Sequence, residues 1–445
     1  MQQNTLPQSN TAPTMNSNLN DWLNYMHGIH VSAIDMGLER VIPVFERLGI
    51  KQTQAFVFTV AGTNGKGSTT ATIAAICQAA GYKTALYQSP HLMQFNERVK
   101  INGNMVDDAT LVAAFAKVEQ ARLDCGLSLS FFEMTTLAAF LIFSEAHCDV
   151  WVLEIGLGGR LDVVNVIDPN LAVITNVGID HVEWLGDNRE KIGSEKAGIL
   201  REGINLVYGE TDMPITIPPM IAEHQAKLLQ VGKDFSYHQV GDAGQWQYNS
   251  SAVTLSLPTP TLSLHNTSVA ITAVLASGLG ISQTDIANAL PTVHLAGRFD
   301  RRELQNRHWL FDVAHNEHGI AFLLGQLMPY WQRHQQQYPQ AKLQLVFSML
   351  ADKDIDSVLA DLATLPINQV VSGEIDHFRA SNIERLTQAL TQYFGEAHVL
   401  PKLDQATDWI LAHSEPQDLI LVCGSFHTIA EVLAHLQSVE VVHKN

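Results

Sequence analysis

The sequence predicts an α/β protein of two domains, the first with a small antiparallel sheet appended to it. An apolar run, Phe56 to Ala61, stops at a glycine-rich turn containing one lysine, Gly62 to Ser68, and passes into an Ala- and Ile-rich helix, Thr69 to Ala80. Strand, tight turn and helix in that order build a parallel sheet. Beyond Gly297 strand-like and helix-like segments alternate again. Between about Leu228 and Leu264, short β-favouring runs are broken by Gly, Asn and Pro, the pattern of an antiparallel ribbon. A chain of 445 residues, 46% hydrophobic and 16% charged, has material for two or three packed cores.

The turn Gly62-Thr63-Asn64-Gly65-Lys66-Gly67-Ser68 carries the first functional signal. Glycines let backbone N–H groups converge on phosphate oxygens, the helix N-terminus adds partial positive charge, and Lys66 adds a full one. The domain is therefore expected to be a P-loop domain that cradles the phosphates of a nucleotide. The strict P-loop pattern fails at two places: Val60 replaces the first glycine, and Gly67 stands where Ser or Thr follows the lysine. A glycine-rich βα turn that binds nothing is the alternative.

The formal net charge of −18 argues against nucleic acid as a partner, since such binders need a basic face. An anionic substrate would require a local positive pocket in an acidic body. Cys77, Cys125, Cys148 and Cys423 form no CxxC pair and read as buried free thiols in a reducing compartment rather than a metal site or disulfides. No run is long and apolar enough to span a bilayer. A cytoplasmic protein, monomeric and without membrane contact, is expected. Residues 1–18 are polar and read as a disordered leader, 19–290 as the P-loop domain, 291–297 as a linker, and 298–445 as a second, Rossmann-like α/β domain.

In chain order, Asp21 to His27 reads as a short helix capped by Asp21. Ile34-Asp35-Met36 precedes a helical run to Leu48, and Asp35 serves either as a cap or as a ligand contact. Lys83 to Gln88 reads as a strand ending at Ser89-Pro90-His91, on the edge where open parallel sheets gather ligands. Asp108 to Ala121 reads as a helix. Ser128 to Glu133, which holds Phe131 and Phe132, opens the apolar helix Met134 to Glu145. The two rings either pack in the core or stack on a flat ligand, and Glu133 either answers the helix dipole or faces a ligand. The buried-type strand Asp149 to Gly156 holds one carboxylate, Glu154, near its end, a common Mg²⁺ position opposite a phosphate loop. Leu171 to Val177 is another strand, ending at Asp180-His181. Asn188 to Leu200 is a helix whose Lys196 is a surface residue by default. Ile204 to Gly209 is a strand, and Asn266 to Gly278 a helix.

In the second domain, strands are expected at 309–313, 343–348, 369–372, 398–400 and 419–423, and helices near 317–332, 354–363, 382–394, 404–413 and 427–438. Strand ends carry Asp312-Val-Ala-His315-Asn and Cys423-Gly-Ser425-Phe-His427. Arg298, directly after the linker, is either a surface residue or a phosphate contact.

Gly62 to Ser68, Ser89-Pro-His91, Leu153-Glu-Ile-Gly-Leu-Gly-Gly-Arg-Leu-Asp162, Asp180-His181, Glu195-Lys-Ala-Gly198, Gly297-Arg-Phe299, Phe311 to Asn316 and Cys423 to His427 stand in one order. In that order the chain resembles the bifunctional dihydrofolate synthase/folylpolyglutamate synthase family of Mur-like ATP-dependent amide ligases. The resemblance implies ATP-dependent addition of L-glutamate to dihydropteroate and to the glutamate tail of reduced folates, through an acyl phosphate. It implies that Thr63, Asn64, Gly65, Lys66, Gly67, Ser68, Asn266, Arg298 and Asp312 bind ATP, and that Ser89, Glu154 and His181 ligate Mg²⁺. Ile34, Asp35, Met36, Ser130, Phe131, Phe132 and Glu133 would line the pterin site. His315 and Ser425 would stand near the incoming glutamate. Lys66, Lys196 and His315 would act in catalysis, Lys196 as a carbamate.

The competing readings are a folylpolyglutamate synthase alone, a Mur-type amino-acid ligase, and a nucleotide-binding sensor without turnover. A Mur-type enzyme is expected to carry a further N-terminal domain, for which the segment ahead of the glycine loop is short.

Overall fold

The computed structural model describes residues 12–30, 35–50, 54–240 and 245–444. It divides into two compact units, residues up to 260 with 264–293, and residues 294–445 with 261–263.

The first unit is built on an eight-stranded sheet. Its strands are β1 (Phe56–Ala61), β2 (Thr84–Tyr87), β3 (Val99–Ile101), β4 (Asn104–Met105), β5 (Val150–Glu154), β6 (Leu171–Ile174), β7 (Asn205–Tyr208) and β8 (Lys227–Gln230). The order is β4-β3-β2-β5-β1-β6-β7-β8. β1 lies between β5 and β6, parallel to both. Strands leave β1 toward opposite sides, so a crevice opens at its C-terminal end, where the glycine loop begins.

β1, β2, β5 and β6 read as continuous apolar runs because both faces of the sheet are covered. Val57 and Ala61 point into one core with Trp22, Phe115, Phe140 and Trp151. Phe58 and Val60 point into the other, with Ile73, Ile271 and Trp246. The period of two along β1 divides its side chains between these layers.

β9 (Phe235–Val240), β10 (Gln245–Ser250) and β11 (Thr254–Pro258) form the appended antiparallel sheet in the order β11-β10-β9. Trp246, Tyr248, Leu255 and Leu257 are its buried face. The expected ribbon began too early: β8 pairs in parallel with β7 and closes the main sheet.

Several boundaries move. The first helix runs Leu19–Gly28, and its cap is Asn18 rather than Asp21; Asp21 is the reciprocal partner in a capping box. The leader expected through Asn18 is shorter at its described end. Ala12 packs on the core, and the Trp22 indole donates to the Thr14 carbonyl at 3.2 Å. The helix expected from Asp108 to Ala121 reaches Cys125, where Gly126 ends it in left-handed conformation. Cys77, Cys148 and Cys423 are buried, Cys125 is half-buried, and all are free thiols.

The second unit holds a six-stranded sheet of β12 (Asp300–Leu304), β13 (Arg307–Asp312), β14 (Leu343–Phe347), β15 (Ile367–Gly373), β16 (His398–Leu400) and β17 (Leu419–Cys423). The order is β12-β13-β17-β14-β15-β16. Only the β12–β13 pair is antiparallel. β12 has no counterpart among the sequence expectations: its Asp-Arg-Arg-Glu-Leu is a charged edge strand without an apolar run. The helix expected at 317–332 extends over Glu317–Gln337, passing through Pro329. No helix among the described residues is long and apolar enough to cross a membrane.

Candidate functional site

The glycine loop joins β1 to the helix Lys66–Ala79, and Gly65 is the left-handed residue before its first turn. The segment after β6 holds the loop in place. The Asn176 side chain accepts from the Asn64 N–H at 2.9 Å and donates to the Asn64 carbonyl at 2.9 Å. The Thr63 hydroxyl accepts from the Gly178 N–H at 2.9 Å and donates to the Gly178 carbonyl at 3.0 Å. Gln88, at the end of β2, donates to the Gly67 carbonyl at 2.8 Å. Lys66 Nζ donates to the carbonyls of Gly62 and Thr63, at 2.9 and 3.2 Å. Ser68 is buried in the first turn of the helix, where its carbonyl accepts from the Thr72 hydroxyl at 2.8 Å.

Asn266 comes from the helix Leu264–Ala276 and packs directly on Gly65. A β-carbon at Gly65 would stand 2.5 Å from Asn266 Oδ1, and φ there is +81°. Gly65→Ala is therefore expected to cost about 1–2 kcal/mol of stability; thermal melting checks this.

Lys66 opens onto a small cavity of about 20 Å³, lined also by Gly62, Thr63, Gly156, Asp180, His181 and Lys196. Lys196 is buried, not a surface residue. Its helix, Arg189–Ala197, carries it inward, and the Arg160 N–H bonds the Glu195 carbonyl beside it at 2.8 Å. Burial, reinforced by the Lys66 charge and opposed by Asp180, pulls the Lys196 ammonium down to about 7. The side chain is therefore substantially a neutral amine near pH 7.

Glu154 ends β5 and is 4% exposed. Its Oε2 accepts from the Ser89 N–H at 3.3 Å. Ser89 and His181 line one cleft, and His181 holds a left-handed backbone at the turn into a short helix. A carboxylate, a hydroxyl and an imidazole form a donor set that fits a Mg²⁺ also held by phosphate and water. Among the described residues no group of three His, Cys, Asp or Glu gathers to hold a metal alone.

The larger cleft, about 360 Å³, adjoins the small cavity through Gly156, Leu157 and His181. It is lined by the expected Asp35, Met36, Ser130, Phe131, Phe132 and Glu133. Ile34 lies outside the described residues. Asp35 is not a helix cap: its Oδ2 pairs with Arg40 at 2.7 Å and His30 at 3.1 Å. Arg40 also reaches Glu133 at 2.7 Å, so one guanidinium joins two of the carboxylates of the cleft, Asp35 and Glu133. Glu133 and Ser130 form a capping box. Phe131 stacks on His27 at 4.1 Å, and Phe132 lies so near Gly156 that a β-carbon there would meet its ring at 2.4 Å.

Two lining residues escaped the sequence reading. Arg98 is buried with its guanidinium 5.7 Å from the Phe131 ring, and its Nε donates to His91 Nδ1 at 2.9 Å. Arg98 falls in no motif. Asp162 is buried, and burial pushes its carboxyl up to about 6 despite N–H donors from Leu157 and Val164 at 2.8 and 2.9 Å. Its signal, a lone acid closing a glycine-rich stretch, was visible.

In the second unit the expected residues meet at the C-terminal edge of the sheet. Asp312 is buried and accepts from the N–H groups of Phe299 and Ala314 at 2.8 and 2.9 Å. Burial raises its carboxyl, and Arg298 opposes the shift. Arg298 lies 5.4 Å from the Phe426 ring. His315 donates from Nδ1 to the Val313 carbonyl at 2.7 Å. The Ser425 hydroxyl accepts from the Thr428 N–H at 3.0 Å and bonds the Thr428 hydroxyl at 2.7 Å, a capping role.

Residues 60–273 match the Mur ligase middle domain, and 297–426 the Mur ligase glutamate ligase domain. The chain is similar to the dihydrofolate synthase/folylpolyglutamate synthase of Escherichia coli K12, with 39% identity covering 95% of this chain and 96% of that one. Among solved structures it resembles E. coli FolC in complex with DHPP and ADP, with TM-score 0.88 and 38% identity over 96% of this chain and 100% of that one. It also resembles the bifunctional enzyme of Yersinia pestis complexed with AMPPNP and Mn ion, with TM-score 0.87 and 36% identity over 96% and 100%.

Proposed function

The chain belongs to the dihydrofolate synthase/folylpolyglutamate synthase family of Mur ligases, and from that membership we propose how its residues divide the work. The protein is an ATP-dependent ligase that joins L-glutamate to dihydropteroate and to the glutamate tail of reduced folates. A carboxylate is a poor electrophile. Transfer of the γ-phosphoryl group of ATP to it makes an acyl phosphate; the glutamate amine attacks the acyl carbon, phosphate leaves with the bonding pair, and an amide forms.

The observation that carries the assignment of residues is the junction of the two cavities. The larger takes the pterin between Phe132, Met36 and Asp162, and its opening toward His181 brings the carboxylate end to Lys66. Thr63 to Ser68 and Asn266 hold the ATP phosphates, and Lys66 balances charge on the moving phosphoryl group. Ser89, Glu154 and His181 would hold a divalent cation, which when bound would supply electrostatic stabilisation of phosphate oxygens. Lys196, as a neutral amine, adds CO₂ and releases a proton to become a carbamate, placing an anion beside Lys66.

In the second unit Arg298 and Asp312 serve ATP, and His315 the glutamate. The Ser425 hydroxyl already caps a helix, which favours a structural role there. Exclusion of water from the acyl phosphate favours amide formation over hydrolysis.

Measuring ADP release with glutamate plus dihydropteroate, and separately plus tetrahydrofolate, tests the substrates. Turnover with both is expected. Turnover with tetrahydrofolate alone would reduce the protein to a folylpolyglutamate synthase, and ATP binding without turnover would make it a sensor.

A further inference from the structure

We infer that the Arg189–Glu210 pair is a positioning device for the phosphate and metal site, although neither residue touches it. The inference rests on the placement of His181 and Lys196 proposed above.

The segment 175–181 leaves the end of β6 and carries His181. One side of it grips the glycine loop through Thr175, Asn176 and Gly178: the Thr175 hydroxyl donates to the Asn64 carbonyl at 2.6 Å, beside the bonds already described. The other side is held at a single peptide position. The Val177 N–H donates to Glu210 Oε2 at 2.9 Å, and the Val177 carbonyl accepts from Arg189 Nε at 2.7 Å. Arg189 and Glu210 also bond each other at 3.1 Å. The two ionised groups and the Val177 peptide thus close one hydrogen-bonded ring. Charge-assisted bonds of this kind are stronger and more directional than neutral ones.

The pair has support behind it. The Tyr208 hydroxyl donates to Glu210 Oε2 at 3.2 Å, and Asp212 pairs with the outer nitrogen of Arg189. Tyr208 ends β7, so Glu210 is fixed to the main sheet.

Arg189 is also the first residue of the helix that ends at Ala197, with Asn188 as its cap. Lys196 follows Arg189 by seven residues, close to two helical turns, so both lie on one face. The pair therefore fixes two things against the same loop: the segment bearing His181 and the helix bearing Lys196. Relaxing it lets both drift from Lys66, and a misplacement of about 1 Å costs on the order of 10²-fold in rate.

The test compares Arg189→Lys and Glu210→Gln with Glu119→Gln. Arg189→Lys keeps the charge but loses the planar fork; Glu210→Gln keeps an acceptor for Val177 but loses the ion pair. Glu119→Gln disrupts the buried Tyr25–Glu119–Arg122 network elsewhere in the unit and serves as a control for stability alone. Three readouts are taken: kcat and KM with dihydropteroate, Mn²⁺ affinity in the presence of ADP by electron paramagnetic resonance, and thermal melting. The expected result is a fall in kcat of roughly ten- to a hundredfold, an unchanged KM for dihydropteroate, and weaker Mn²⁺ binding in both site-facing variants. Glu119→Gln should lose stability only. Site-facing variants that merely melt lower, with wild-type kcat and Mn²⁺ affinity, would overturn the inference. A parallel His181→Ala variant separates the two claims: if it too binds Mn²⁺ normally, the metal assignment fails as well.

Discussion

Lys66→Ala is expected to lower kcat by roughly 10³- to 10⁵-fold, the range in which a cation on a transferring phosphoryl group acts. The folded chain should survive. The ammonium bonds two carbonyls of its own loop, at 2.9 and 3.2 Å, and Gln88, Thr175 and Asn176 hold that loop independently. Each such charge-assisted bond is worth about 1.5–3 kcal/mol when buried, and less for a partly exposed ammonium. The KM for dihydropteroate should hardly change, because the cleft around Phe132 and Asp162 does not include Lys66. Single-turnover kinetics with circular dichroism as a fold control check all three statements. A variant that keeps its turnover would mean that phosphate is held elsewhere.

Much of this site was legible because its chemistry is local in sequence. Gly62 to Ser68 reads as a candidate phosphate loop through residue types alone, and Glu154 stands out as one acid in an apolar strand. What escaped depends on contacts between distant segments. Nothing near Lys196 in the chain announces burial; its helix is polar, and only packing against the 156–160 turn and the cavity removes the lysine from water. Asp35 could be a cap or a ligand contact on sequence alone because its partners, His30, Arg40 and through it Glu133, come together only in the fold. Arg98 lies in no motif, so nothing local in the chain singles it out. β12 was invisible for the opposite reason: an edge strand needs no apolar face, so its charged sequence carries no periodic signal. The domain outline followed from alternation, whereas β8 could not be separated from the ribbon after it, since short β-favouring runs do not declare which neighbour they pair with.

Lys196 gives the second large effect. Its ammonium, pulled down to about 7 by burial first and by Lys66 second, is mainly neutral at pH 8 and mainly charged at pH 6. Only the neutral amine has the lone pair that attacks CO₂. At equal dissolved CO₂, carbamate formation should therefore proceed at pH 8 and be suppressed at pH 6, and enzyme stripped of CO₂ should recover activity faster at the higher pH when the dissolved CO₂ is matched. In ¹³CO₂ the native protein should show a carbamate carbon resonance that Lys196→Ala lacks, and that variant should lose roughly 10²- to 10³-fold in kcat, the magnitude of one preorganised electrostatic group. Stability carries an independent signature. In the unmodified, CO₂-free protein the folded-state value lies below the unfolded one, so between about 7 and 10.5 the unfolded chain binds more protons at this position. The cost of burying the lysine is fully present below pH 7 and fades as pH rises toward the unfolded value. Folding stability should thus increase with pH across that window by up to about 1.4 kcal/mol per unit from this group. Lys196→Met should flatten that slope. A variant with native turnover, no missing resonance and an unchanged slope would return Lys196 to the role of an ordinary side chain.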